Sequence, residues 1–299
     1  MRVEGCMMFS TYVVWYLFLA GAGAGCYVIM SGLTIAQLRG ASAIPPDWPG
    51  FRFGSMATPA LLVFASLFLF ADLGAPEKVW AVFLHPFQSA ISAGACLVVC
   101  LIVLSAVVSL NGILGSFLSR CQMVLCCIGG SLLAFGVMAY TGILFSSMVS
   151  VDFWATPLLT VLFILSSLTT GLGVLICLEV LIDGKSSGLY PFYHSAAIVG
   201  GLLEAIALAA FLFDRYCFSE VSRLSCDMLF TGDLAFPFWL GLVCMGFLLP
   251  AFLQILYAKV PVLGLMWVSS LGVLVAGFSL RYCIVNASLL PTVLIGGFL

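Results

Sequence analysis

PLLTVLFILSSLTTGLGVLICLEVLI, residues 157–182, decides the fold. Its one charged residue is Glu179, close to the end of the run. A hydrocarbon core about 30 Å thick is crossed by a helix of roughly 20 apolar residues, and this stretch is longer than that before it meets a charge. Working outward, similar apolar runs recur on both sides, each closed by charges or prolines. They place membrane spans at 12–38, 57–73, 88–111, 122–147, 157–182, 196–217, 237–258 and 262–285. The expected fold class is all-α: a polytopic transmembrane bundle of about eight helices, forming a single integral membrane domain over 1–299.

Composition agrees with this. Of 299 residues, 64% are hydrophobic and 7% charged, against about 25% charged in a soluble domain. The connections between spans are too short to hold a soluble catalytic domain. The ten basic residues are scattered singly, leaving no patch for nucleic acid. Twelve cysteines lie mostly inside apolar runs with no CxxC pair, so they read as small buried hydrophobes rather than ligands of zinc or iron–sulfur clusters. Cys217 and Cys226 flank a polar loop and are within reach of pairing in an oxidising compartment. The first apolar stretch is too long for a signal-peptide core and is expected to be retained. The GAGC ending at Cys26 lacks the leucine of a lipoprotein signal.

An even number of spans puts both termini on one side, here called the first face. Lysine and arginine number four on that face and five on the other. Because basic residues favour the cytoplasmic side, the first face is taken as extracytoplasmic, with both termini on it.

Ionisable groups at membrane depth are costly and mark functional sites. Tyr16 lies near the start of the first span, and the second span ends at Asp72, followed by Glu77, Lys78 and His85. Tyr140 and Arg281 lie far along the fourth and eighth spans, roughly 27 Å in at about 1.5 Å per residue, which brings both to the first face. Phenols, carboxylates, a histidine and an arginine at one surface suit a lipophilic head group that exchanges protons, such as a quinone. Ordinary interfacial anchoring is the competing reading for each residue taken singly. Glu204 sits nearer the bilayer centre than any other acid; it must be neutral or paired, and it is the candidate for a proton path. Gly21 and Gly25 have the spacing of a close helix crossing, or alternatively leave room for a planar ring. His85 and His194 belong to opposite faces, so a single copy of the protein does not build a bis-histidine haem site.

WYLFLAGAGAG (15–25), DLGAPEKVW (72–80) with LHP (84–86), AYTGILFS (139–146), PLLTVLFILSSLTTG (157–171), FWLGLVCMGFLLP (238–250) and LRYCIV (280–285) resemble the NrfD/PsrC family in order along nearly the whole sequence. Those proteins are the quinone-reactive membrane subunits of polysulfide and nitrite reductase complexes in bacterial or archaeal cytoplasmic membranes. The resemblance implies two four-helix bundles without haem or metal. It also implies an exchangeable menaquinone or ubiquinone near the face where a ferredoxin-like 4Fe–4S subunit docks, and a molybdopterin or multihaem catalytic subunit beyond it. On matching positions it implies quinone contacts from Tyr140 and Tyr16, with Asp72, Glu77 and Arg281 in the site and Glu204 matching an acid of the sixth helix. Ala75 and Lys78 stand where the family often has arginines, Asn286, Ala287 and Ser288 replace its usual AGQ, and Tyr16 replaces a histidine or asparagine of some members. A transporter or proton-translocating subunit and a purely structural anchor are the alternatives.

Overall fold

The computed structural model describes residues 10–40, 49–72, 90–115, 117–148, 150–182 and 188–288. All regular elements among them are helices. The expected eight spans are present: α1 (Thr11–Leu38), α2 (Pro49–Asp72), α3 (Ala90–Leu114), α4 (Arg120–Ser146), α5 (Pro157–Ile182), α6 (Tyr190–Phe218), α8 (Pro237–Lys259) and α9 (Leu263–Asn286). Between α6 and α8 lies α7 (Glu220–Phe230), a short helix in what reads from sequence as a polar loop. Ser219 caps it by accepting from the Ser222 N–H.

Local chemistry sets the ends. Ser119 and Gln122 form a reciprocal capping box at the start of α4. Gly40 follows α1 with φ +85° and donates to the Gln37 carbonyl, a left-handed turn that glycine takes without strain. α2 and α6 begin earlier than the apolar runs suggest, at Pro49 and Tyr190. α8 is wound wide over Pro237–Leu248 and becomes an ordinary α-helix over Leu249–Lys259. The change comes at Pro250, which has no N–H and crowds the carbonyl four residues back, while the Leu249 N–H reaches five residues back to Cys244.

α1 packs against α2, α4 and α5, and α5 packs in turn against α4, α6 and α9. The helices thus fall into two groups, α1–α4 and α5, α6, α8, α9, joined along α1 and α5. That seam is a backbone crossing. A Cβ on Gly25 would lie 1.9 Å from the Ser167 carbonyl oxygen, and one on Gly171 would lie 2.3 Å from the Cys26 nitrogen. With no hydrophobic force between helices in lipid, close packing of this kind is what holds them together. Buried hydroxyls inside spans mostly bond to the carbonyl three or four residues back, as Thr34, Thr141 and Ser270 do. The described cysteines are all free thiols, Cys217 and Cys226 included.

Candidate functional site

Near the first face, α1 and α4 bring two phenols together. Tyr16 is five residues inside α1 and Tyr140 six residues from the end of α4, so both lie about 8–9 Å in from that face. They are 2% and 8% exposed. Their hydroxyls interact electrostatically, yet the Tyr16 oxygen makes no well-formed hydrogen bond to any described group. A buried hydroxyl left this way forfeits on the order of 1–3 kcal/mol unless another group meets it. The Tyr140 ring lies on Gly94 of α3, where a Cβ would come within 2.0 Å of it. Nothing in the sequence singles out Gly94, because one glycine in an apolar run carries no signal until its neighbour is known.

Asp72 ends α2 at this level and accepts a hydrogen bond from Ser10, the residue that precedes α1. Beside Tyr16, Trp15 stacks on Phe68 of α2 at 5.9 Å and meets Phe278 of α9 at 4.5 Å. With Tyr12 they make an aromatic edge that remains partly exposed to the outside of the bundle. Glu77 and His85 lie outside the described residues.

Arg281 stands elsewhere than its position along α9 suggests. Side chains on a helix lean toward its N-terminus, and this one runs back into the bundle, 1% exposed. Its Nε donates to the Leu17 carbonyl at 3.1 Å and its Nη1 to the Gly277 carbonyl at 2.8 Å and to Ser166 Oγ at 3.2 Å. Its Nη2 donates to Ser167 Oγ at 2.9 Å. Gly21 makes room for it, since a Cβ there would lie 2.6 Å from Nη2. The planar group that Gly21 accommodates is therefore the guanidinium, while Gly25 serves helix packing.

Glu204 on α6 is buried and accepts from Thr169 Oγ1 at 2.5 Å. Ser166, which accepts from Arg281 Nη1, lies between that carboxyl and the guanidinium. The direct ion pair in contact among the described residues is a different one, Arg215 with Asp214 at 2.6 Å near the first face. Arg215 also donates to the Asp152 and Ala155 carbonyls and so ties α6 to the α4–α5 connection. Glu179, which its place at the end of α5 suggests is interfacial, is 2% exposed and accepts from the Tyr193 hydroxyl at 2.6 Å. No cluster of histidine, cysteine and acidic side chains able to hold a metal occurs among the described residues.

The geometry is thus a pair of phenols beneath the first face, with a polar path running inward from Leu17 through Arg281 and Ser166 to Glu204. Comparison with known proteins agrees with the motifs. Residues 3–292 match the family described as "Polysulphide reductase, NrfD". The C subunit of polysulfide reductase from Wolinella succinogenes is 31% identical over 269 residues, covering 81% of the present sequence and 83% of that protein. With eight apolar spans in register with the family's motifs, this multi-pass membrane chain belongs to the NrfD family.

Proposed function

We propose that this chain is the membrane anchor and quinone-binding subunit of a respiratory oxidoreductase, passing electrons between the quinone pool and a peripheral 4Fe–4S subunit. The observation that carries the reading is the buried Tyr16–Tyr140 pair, two phenol hydroxyls that face one another beneath the first face. That arrangement fits the residues to a quinone: at most one of the two hydroxyls donates to the other, and a carbonyl oxygen accepts from the one that remains. When bound, a quinone supplies two-electron chemistry coupled to uptake or release of two protons.

The protein's own residues have distinct parts in this reading. Tyr16 and Tyr140 orient the head group through their hydroxyls, and Gly94 holds the Tyr140 ring in place. The aromatic edge of Trp15, Phe68 and Phe278 offers a flat apolar approach from the bilayer. Asp72, at the membrane surface, accepts or supplies protons, in company with Glu77 and His85. Arg281 acts at a distance, as a fixed positive charge beneath Leu17, and Glu204 is the proton-path residue that faces it across Ser166. A ferredoxin-like partner would approach the first face to bring a cluster within tunnelling range, with a molybdopterin or multihaem subunit beyond. The quinone is menaquinone or ubiquinone, and the membrane a bacterial or archaeal cytoplasmic one with the first face outward.

Purifying the complex in a mild detergent and extracting its quinone tests the reading. About one quinone per copy is expected, with loss of most of it in the Tyr16→Phe/Tyr140→Phe double variant. A complex that carries quinone equally well without both hydroxyls would leave the protein as a structural anchor whose quinone site is not here.

A further inference from the structure

α6 and α8 barely touch one another, and the gap between them is a cleft of about 490 Å³ walled by α5, α6, α8 and α9. It runs from Lys259 and His194, beside the second face, inward to Glu204. His194 and Glu204 are ten residues apart on α6, so the cleft is about 15 Å long. It has no part in the site at the first face.

Its two ends differ from its middle. At the outer end the His194 ring shares a 2.6 Å hydrogen bond with Gln254 Oε1, and Gln254 Nε2 donates to Ser269 at 3.3 Å. Lys259 ends α8 at the rim. At the inner end stand Thr169 and Glu204, bonded to each other. Between these ends the wall is made by Leu172, Ile176, Ala197, Ile198, Ala251 and Val273, with glycines among them. Ser270 interrupts it, its hydroxyl donating to the Met266 carbonyl. A buried water needs two to four polar partners, and apart from Ser270 the side chains of this middle section are apolar. The lips of the cleft are apolar too: Ile198, Leu202 and Ile255 are exposed on the outer surface of the helices, where the bilayer would lie.

We propose that the cleft is a phospholipid site, holding one acyl tail along α6 and α8 with the lipid phosphate at Lys259. A narrow apolar slot open sideways suits a hydrocarbon tail, and the ammonium at its mouth complements an anionic head group. The tail's end then lies against Glu204 and keeps water of the second face away from the Glu204–Arg281 pair. The proposal stands independently of the quinone reading.

Gly201 gives a clean test, because it lines the slot and a Cβ added there meets nothing within 4 Å. The protein is reconstituted in vesicles of phosphatidylcholine and phosphatidylglycerol containing a trace of phosphatidylglycerol with a diazirine at the acyl terminus. After illumination, labelled peptides are mapped. Label concentrated on 197–205 of α6 and 247–255 of α8 is expected. Gly201→Phe should reduce it at least fivefold and Lys259→Glu severalfold, with no change in Gly32→Phe, whose added Cβ is equally free of contacts but lies on α1. Lys259→Glu alters only an exposed helix end and keeps the test valid should Gly201→Phe fail to fold. A second readout uses Ala205→Cys beside Glu204: slow reaction with a water-soluble maleimide applied at the second face is expected. Unchanged labelling in both cleft variants, or fast maleimide reaction through a hydrated cleft, would overturn the proposal.

Discussion

Gly25→Ala should weaken the whole molecule, and the structure says by how much. The added carbon would sit 1.9 Å from the Ser167 carbonyl oxygen and 2.7 Å from its carbon. Both are backbone atoms of α5, so no rotamer change relieves the clash, and α1 and α5 must part by more than an ångström. Overpacking of this kind costs about 1–3 kcal/mol. Against it stands the higher helix propensity of alanine, about 1 kcal/mol. Gly32→Ala, on the same helix with nothing within 4 Å of its new carbon, has the gain without the clash. The difference between the two variants therefore isolates the steric cost and should be about 1–3 kcal/mol. Gly171→Ala meets the same crossing from the other side, 2.3 Å from the Cys26 nitrogen. One widening relieves both clashes, so the double variant should cost less than the sum, by about 0.5–3 kcal/mol. Unfolding in mixed micelles titrated with dodecyl sulfate measures all four proteins. Equal stability of Gly25→Ala and Gly32→Ala would refute the backbone crossing.

Glu204→Leu should cost about 1–3 kcal/mol, because it removes the carboxyl that accepts from Thr169 inside the bundle, while Glu204→Gln, which can still accept from Thr169, should cost clearly less; unfolding in the same micelles compares them. The purified protein should show no haem absorption in the Soret region, and a stoichiometric b-type spectrum from it alone would overturn the cofactor assignment. Crosslinkers placed near Asp152 or His85 should capture the iron–sulfur partner; capture from Arg52 or Arg120 instead would put the partner on the wrong face.

The spans were legible because crossing a membrane demands a long apolar run, and runs such as 157–182 satisfy little else. Their starts were less so: α2 and α6 begin in segments containing Arg52 and His194, where a count of apolar residues stops before the helix does. α7 buries Ser222, Ser225, Cys226 and Leu229, a helical spacing that a reading by apolar residues misses because two of the four are serines. In the site, the common depth of Tyr16 and Tyr140 followed from counting residues along helices of known rise, while their meeting depends on how α1 and α4 pack. The depth of Arg281 did not, since its long side chain takes the charge back toward Gly277, about a turn from its own Cα. Gly94 and the cleft between α6 and α8 depend on how helices neighbour one another, and no spacing within one helix reports that.

Contact between Tyr140 and a quinone is tested most directly by Tyr140→Phe. The change removes one hydroxyl and keeps the ring on Gly94, so the fold and assembly should survive. One hydrogen bond to the head group is worth about 0.5–1.5 kcal/mol, and about 1.4 kcal/mol is tenfold in affinity. Quinol-driven reduction of the partner's clusters is measured in membranes holding equal amounts of variant and parent complex. Tyr12→Phe, whose residue is half exposed and outside the pair, serves as the control. The expected result is an apparent quinol affinity up to about tenfold weaker in Tyr140→Phe, turnover reduced at least in proportion at limiting quinol, and no change in the control. Unchanged affinity and turnover in Tyr140→Phe would rule out the contact and make Tyr140 a packing residue at the membrane surface.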